Sequence, residues 1–443
     1  MKRLLKKIIP GPVIGAYHFL LAYAAALRFG FPSRRMVVIG VLGTRGKTTV
    51  SNLIWSCLDA AGYKVGLTGT ANIRIGKKER MNPYHMTMPG RFVMQKLLAE
   101  MRDAGCQIAI VETPSEGVEQ WRHVGIAYDI AVMTVLYPEY LETHHWDYER
   151  CKRMHRKVFQ EISRQPEKKF NGKTVPKTIV VNNDINEPEL FLDNPADRKI
   201  TYGVKNASHV FADSITQDAE GRASFSVGPA SYRLGIRGMF NVSNALAAIA
   251  CAAALEIPQE AVRRGLASMP LVPGRMEEIK NNLGFSVFVD YAHDAVSLEA
   301  ALSSLKVFKK GKIILITGGQ GGGRDKQKRP VMGSIAAKYA DCVIVANEDP
   351  YSDDPVEIME EIARGSEASG KIRGKDLFLE PDRREAIRRA LSFASTNDIV
   401  FVSGKGSEQS METAEGKIPW DDREVVREEL AALQGEKSSI MEK

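Results

Sequence analysis

Residues 40–50, Gly-Val-Leu-Gly-Thr-Arg-Gly-Lys-Thr-Thr-Val, constrain this chain more than any other stretch. An apolar run at 36–39 precedes them and a helical pattern at 51–61 follows. A strand passing through a glycine-rich turn into a helix start is the arrangement that wraps a triphosphate, because the backbone N–H groups turn inward and the helix N-terminus favours negative charge. Gly43 and Gly46 give the turn its freedom, with Thr44, Arg45 and Thr49 completing the loop. Lys47 is spaced to reach the outer phosphates of such a group, and Thr48 to offer its hydroxyl to Mg2+. The spacing is not the strict G-x-x-x-x-G-K-[ST], since position 41 is Val and the glycine falls at 40.

The alternation around this loop implies an α/β fold. Short apolar runs at 107–112, 130–136 and 178–181 alternate with amphipathic helices, as in a mostly parallel sheet covered on both faces. Between about 200 and 237 the texture changes to short alternating runs, predicting a small antiparallel patch, and a helix is expected over 241–255. The two prolines within 270–274 mark a domain junction. Beyond it, runs at 286–289, 312–317, 342–346 and 399–402 predict the strands of a second α/β unit. The expected organisation is a basic, apolar helical segment (1–36), a P-loop central domain (37–272) and a C-terminal Rossmann-like domain (273–443). Folds of this type bind ligands at the carboxyl ends of their strands.

Charge excludes a general nucleic-acid binder. The net charge is +7, and residues 1–35 hold Lys2, Arg3, Lys6, Lys7, Arg28, Arg34 and Arg35 with no acid, so the remainder is balanced. A phosphate-backbone binder spreads a basic face over its folded domain. Residues 13–27 are almost wholly apolar but number fifteen, short of the roughly 20 needed to span a bilayer. The first expectation is a helix packed on the protein body; peripheral contact with an anionic membrane surface is the alternative. Five scattered cysteines without a C-x-x-C fit reduced, buried thiols in a cytoplasmic protein.

Further blocks fall at predicted strand ends and loops. They are Glu112-Thr-Pro-Ser, Phe240-Asn-Val-Ser-Asn244, Pro273-Gly-Arg-Met-Glu277, Val289-Asp-Tyr-Ala-His293, the loop Gly321-Gly-Gly-Arg-Asp-Lys-Gln-Lys-Arg-Pro330, Glu348-Asp-Pro350 and Gly404-Lys-Gly-Ser-Glu408. With the phosphate loop, they make the chain from about residue 37 to its end resemble the Mur ligases. Pro-Gly-Arg-Met-Glu followed by Asp-Tyr-Ala-His is characteristic of the tripeptide-synthetase branch, which adds the third residue of the peptidoglycan stem peptide. The resemblance implies an ADP-forming ligase that phosphorylates a carboxylate acceptor with ATP and lets an amino acid displace the phosphate. Such catalysis is chiefly positioning and electrostatics.

By that resemblance Lys47 grips the β and γ phosphates, Thr48 and Glu112 hold Mg2+, and Asn244, Arg275, Asp290 and His293 contact the nucleotide. Thr87, Arg324, Arg329, Glu348, Asp349, Gly404 and Glu408 fall to the small-molecule substrates, Glu408 taking the ammonium of the amino acid. The branch's Asp-Asn-Pro-Arg motif reads Glu348-Asp349-Pro350-Tyr351 here, removing an arginine clamp for a carboxylate. Two acids there favour a lysine-like amino acid, with diaminopimelate open if Arg329 or another group supplies the contact.

Two features depart from the family. Its Asp-His-Leu-Asp reads Glu139-Tyr-Leu-Glu142, and its carbamylated lysine, a ligand of a second Mg2+, falls at His155 counting back from Phe159 or at Met154 counting forward from His144. Either one Mg2+ suffices, or Lys152 is recruited, or catalysis is impaired; the first is the expectation. The family's UDP-sugar-binding front domain is also missing before the phosphate loop, where about 35 residues stand. Two other readings therefore accompany the first: a Mur-like ligase on another peptide or γ-glutamyl acceptor, as in folylpolyglutamate synthases, and a catalytically degenerate ATP-binding subunit serving a partner.

Overall fold

A computed structural model describes residues 11–138, 144 and 147–441. The chain divides into two compact units, the first comprising Met1–Thr216, Ser224–Gly235 and Asn241–Pro270, the second Gln217–Ala223, Ile236–Phe240 and Leu271–Lys443.

The first unit is built on β1 (Val37–Leu42), β2 (Val65–Thr68), β3 (Asn72–Ile75), β4 (Lys78–Met81), β5 (Ile108–Glu112) and β6 (Ile130–Met133). A small hairpin, β7 (Lys169–Phe170) and β8 (Lys173–Thr174), then leads to β9 (Thr178–Asn182), β10 (Arg198–Gly203) and β11 (Val210–Phe211). Apart from the hairpin, these form one sheet in the order β11-β10-β9-β6-β1-β5-β2-β3-β4. Its strands from β11 to β2 run parallel, and β3 and β4 fold back antiparallel at one edge. Strands β1, β5, β6 and β9 are buried at every position, as continuous apolar runs in a doubly covered sheet must be.

The register places the site. Val41 lies beside Glu112 and Leu42 beside Met133, so the phosphate loop and the acid leave the sheet at its carboxyl end. The helix Lys47–Ala60 starts directly on the loop, with Gly46 in the left-handed region at φ +80°, and is buried from Thr48 to Leu58. The helix Gln259–Ser268 crosses it so closely that a Cβ on Gly265 would stand 2.5 Å from the Cys57 Cα.

One buried charge cluster ties this sheet together. Asp129, just before β6, accepts from the Val38 N–H at 2.8 Å, from Lys168 Nζ at 2.6 Å and from Lys177 Nζ at 2.7 Å. It joins the starts of three neighbouring strands, β1, β6 and β9.

In the second unit β15 (Glu277–Ile279), β16 (Ser286–Asp290), β17 (Ile313–Thr317), β18 (Cys342–Ala346), β19 (Leu377–Glu380) and β20 (Ile399–Ser403) form a sheet ordered β15-β16-β20-β17-β18-β19. Only β15 is antiparallel. Arg383 clamps the carboxyl end of β20 by donating to both carboxylate oxygens of Asp422 at 2.8 and 2.7 Å and to the Ser403 carbonyl at 2.8 Å. The fold is α/β throughout, as the alternation predicts.

Several elements differ from expectation. Residues 198–211 join the main sheet as parallel strands, and the small separate sheet is confined to β12 (Asp213–Gln217), β13 (Arg222–Val227) and β14 (Ala230–Arg237). The strands β2, β3, β4, β15 and β19, the hairpin β7–β8 and the hairpin β21 (Ser410–Thr413) and β22 (Gly416–Pro419) go unpredicted, because strands as short as Val-Gly-Leu-Thr or Lys-Glu-Arg-Met show no clear apolar period. The N-terminal helix Gly11–Arg28 packs on the first unit, as the first expectation had it: Ala22, Ala25 and Ala26 are buried, and Phe19 meets Trp121 edge-on at 5.6 Å. No helix among the described residues is long and apolar enough to cross a membrane. Glu139-Tyr-Leu-Glu142 lies outside the described residues.

Candidate functional site

The phosphate loop is pinned from behind by the segment leaving β6. Thr44 donates its N–H to the Val135 carbonyl at 2.8 Å and its hydroxyl to the same oxygen at 3.1 Å, while the Thr134 hydroxyl donates to the Arg45 carbonyl at 2.6 Å. Gly43, at φ +127°, passes so near that a Cβ would stand 2.2 Å from the Thr134 Oγ1; this position admits no side chain. Arg45 lies 4.9 Å over the Tyr137 ring. Asn244 stands against the loop, where a Cβ on Gly46 would come within 2.8 Å of its Oδ1, and its amide donates to Asn241 Oδ1. Lys47 folds back over the turn, its Nζ donating to the Gly43 carbonyl at 2.6 Å and the Thr44 carbonyl at 3.1 Å.

Glu112 is fully buried at the end of β5. Its carboxylate accepts from the Thr48 hydroxyl at 3.1 Å, the Thr70 N–H at 3.1 Å and the Thr70 hydroxyl at 2.8 Å. A Cβ on Gly69 would fall 2.0 Å from Glu112 Oε1, so the glycine makes room for the carboxylate. An acid and a threonine hydroxyl side by side at a phosphate loop are the hard oxygen donors that Mg2+ takes; the residues present fit that ion. Thr87 reaches this group indirectly, through a 2.9 Å hydrogen bond to Thr70. Thr70 itself is the residue the sequence reading missed. Its signal was Thr68-Gly69-Thr70 at the end of β2, next to β5 in the sheet.

The three candidates for the carbamylated position separate cleanly. Lys152 is held by Glu149 at 2.5 Å and Glu187 at 2.9 Å, which keeps it cationic, whereas a carbamate forms on a neutral amine. Met154 packs against the core of the sheet. His155 is fully buried with neither ring nitrogen hydrogen-bonded. Burial first, and then Lys47 and His144, push its imidazole down to about 3. His144 shares a 2.9 Å hydrogen bond with Ser115.

His155 and the equally buried His123, also pushed down to about 3 by burial, give the first unit a defined acid sensitivity. Both folded-state values lie below the ordinary 6.5, so the unfolded chain binds more protons between about pH 6.5 and 3. Stability is therefore expected to be full above pH 6.5 and to fall as the pH drops towards 3. Urea unfolding across that range checks this, and a His123→Gln/His155→Gln double variant flattens the slope. An equal slope in the double variant would assign the loss to other groups.

In the second unit, Asp290 at the end of β16 accepts from the Met276 N–H at 2.6 Å and the Ala292 N–H at 2.8 Å, locking Pro273-Gly-Arg-Met-Glu277 to Asp-Tyr-Ala-His. A Cβ on Gly274 would stand 2.1 Å from the Ser407 nitrogen, so the Gly404–Glu408 loop lies directly against this turn. Arg275 stacks over Tyr291 at 4.3 Å, and His293 turns Nδ1 to the Tyr291 carbonyl at 2.7 Å.

The acids expected to bind substrate prove unequal. Lys405 Nζ is fully buried and lies 2.7 Å from both Asp349 oxygens and from Glu408 Oε2. Asp349 is thus neutralised within the protein, which corrects the expectation that two acids jointly favour a cationic amino-acid end. Glu348 is buried with both oxygens lacking a hydrogen bond, and burial pushes its carboxyl up to about 7. It closes on Gly404, where a Cβ would come within 2.5 Å of its Oε2. Arg329 is also engaged internally, donating to Glu361 at 2.6 Å and the Gln320 carbonyl at 2.8 Å, so it does not replace the lost clamp. Arg324 lies 5.8 Å over Tyr351.

Comparison with known proteins gives both parts of the chain a family. The profile of the Mur ligase middle domain matches residues 41–252, and that of the Mur ligase glutamate ligase domain matches residues 274–406. The UDP-N-acetylmuramyl-tripeptide synthetase of Roseiflexus sp. (strain RS-1) is 37% identical over 424 residues, covering 93% of this chain and 82% of that protein. A diaminopimelate ligase of Geobacillus kaustophilus (strain HTA426), named for UDP-N-acetylmuramoyl-L-alanyl-D-glutamate, is 33% identical over 422 residues, covering 95% and 84%. A solved structure of an enzyme with that same name superposes with a TM-score of 0.59 at 28% identity, covering 90% of this chain and 79% of the other. The folylpolyglutamate synthase of Mycobacterium tuberculosis reaches 0.71 at 18% identity, covering 88% and 93%, a likeness of fold.

Proposed function

The chain belongs to the Mur ligase family, and we propose that it joins an amino acid to a UDP-N-acetylmuramyl dipeptide, with ATP as the energy source, during peptidoglycan precursor synthesis in the cytoplasm. The observation that carries this reading is the joint presence of Lys47 on the phosphate loop and of Glu112 hydrogen-bonded to Thr48 beside it.

Lys47 would leave the loop carbonyls for the outer phosphates and balance charge as the phosphoryl group moves to the acceptor carboxylate. Thr48 and Glu112 would hold Mg2+, which supplies further neutralisation of that charge when bound. The loop N–H groups and Asn244 would fix the phosphates; Arg275, Asp290 and His293 are the residues to which the family resemblance assigns nucleotide contact. An amine then displaces the phosphate from the activated carboxyl. Glu408, which shares Lys405 with Asp349, is the acid that the resemblance assigns to the substrate ammonium, and Arg324 beside Tyr351 would supply the guanidinium for a distal carboxylate. That combination favours a diaminopimelate-like amino acid over lysine.

Phosphate release measured with candidate acceptors and a panel of amino acids tests the proposal. Release that needs both UDP-N-acetylmuramyl dipeptide and one amino acid is the expected result. Dependence on a different acceptor, such as a folate γ-glutamate, would replace this reading with the second, and ATP binding without turnover under every combination would leave a degenerate subunit. His155 faces the same loop as a neutral imidazole, and we propose that a single Mg2+ suffices. A His155→Lys variant with added bicarbonate is then expected to be no faster than the parent; a bicarbonate-dependent rise would instead reveal a restorable second metal site.

A further inference from the structure

The helix Gly11–Arg28 is almost wholly apolar, yet among the described residues only one side meets protein. Its inward face is made of small residues: Ala22, Ala25 and Ala26 are buried, Gly15 lies 3.6 Å by its would-be Cβ from Trp121 Nε1, and Ala26 closes on Gly125. Its outward face carries Val13, Tyr17, Leu20, Tyr23 and Leu27, which are 56%, 58%, 64%, 49% and 64% exposed. At helical spacing Val13, Tyr17, Leu20, Ala24 and Leu27 form one stripe with no charged member. A surface helix normally turns polar residues outward, and a contiguous exposed apolar stripe marks a contact surface.

The surrounding charge names the occupant. Arg28, Arg34 and Arg35 are exposed at the carboxyl end of the helix, Lys2, Arg3, Lys6 and Lys7 precede it in sequence, and no acid occurs in residues 1–35. A protein partner would need its own acidic rim to match, whereas an anionic bilayer offers negative headgroups beside acyl chains along the whole helix. No described helix is long and apolar enough to cross a bilayer, and tyrosines suit the headgroup boundary. We propose that this face seats the protein on an anionic phospholipid surface, the helix lying in the interface plane with Tyr17, Leu20 and Leu27 dipping into it and the arginines on the headgroups.

Sedimentation of the full chain with vesicles tests this. Vesicles of phosphatidylglycerol and phosphatidylcholine are expected to bind it about tenfold or more tightly than phosphatidylcholine alone, with the difference lost in high salt. Tyr17→Glu/Leu20→Glu is expected to abolish binding while phosphate release and the urea midpoint stay unchanged, since both side chains are more than half exposed. Arg34→Glu/Arg35→Glu is expected to remove the preference for anionic lipid. Absence of binding to both vesicle types would overturn the proposal, as would binding indifferent to the glutamates. Light scattering that shows a dimer dissolved by Leu20→Glu would assign the face to a second copy of this chain instead.

Discussion

Lys47→Ala is expected to lower ATP turnover on the order of 1,000-fold or more while leaving the fold intact. The side chain sits half-buried on the Gly43 and Thr44 carbonyls, which are loop oxygens, so removing it opens no apolar cavity in the core. Thermal or urea midpoints should therefore stay close to the parent's. What disappears is a mobile ammonium on a rigid turn. The turn cannot compensate, because Gly43 and Gly46 stand too close to Thr134 and Asn244 to accept another side chain. Lys47→Arg should fail nearly as badly, since a planar fork does not occupy the place of a compact ammonium at a converging set of carbonyls. Phosphate-release kinetics together with a denaturation curve separate the outcomes. A Lys47→Ala enzyme within tenfold of the parent would remove the assigned phosphate grip.

How much of this was legible beforehand follows from what each residue depends on. Gly43, Gly46, Lys47 and Thr48 could be read from local order alone, because a strand, a turn and a helix start are set by neighbours in sequence; Glu112 entered through the family resemblance. The central strands were equally readable as continuous apolar runs. Thr70 was not, because its role depends on β2 lying next to β5, a pairing of residues about forty apart. The amino-acid site misled for a related reason. Glu348 and Asp349 look alike in sequence, yet Lys405 neutralises one and leaves the other without a hydrogen bond. Net charge at a site is a sum over side chains brought together by the fold, and spacing does not supply the partners. The same limit hid Asp129, an acid between Tyr128 and Ile130 with nothing in its neighbourhood to announce two lysines some forty residues on.

Asp129→Ala should be among the most destabilising substitutions in the first unit, costing about 3–5 kcal/mol. The carboxylate is fully buried and is shared by the Lys168 and Lys177 ammoniums and by the Val38 N–H. Removing it leaves two buried cations facing each other and an unanswered strand donor, and no counter-ion can enter without opening the sheet. The strain already shows in the parent, where burial draws the Lys168 ammonium down to about 8 even with Asp129 in place. Because that value lies below the ordinary 10.5, the unfolded state binds more protons between about pH 8 and 10.5, and this group makes stability rise with pH across that window. A triple change, Asp129→Leu/Lys168→Met/Lys177→Met, is expected to recover most of the loss, because apolar side chains of similar volume remove the desolvation cost together with the pairing. Urea unfolding of the parent, the single and the triple variants decides the matter. If Asp129→Ala lost less than about 1 kcal/mol, water would have to reach Lys168 and Lys177, and the cluster would belong to the surface and not to the core of the sheet.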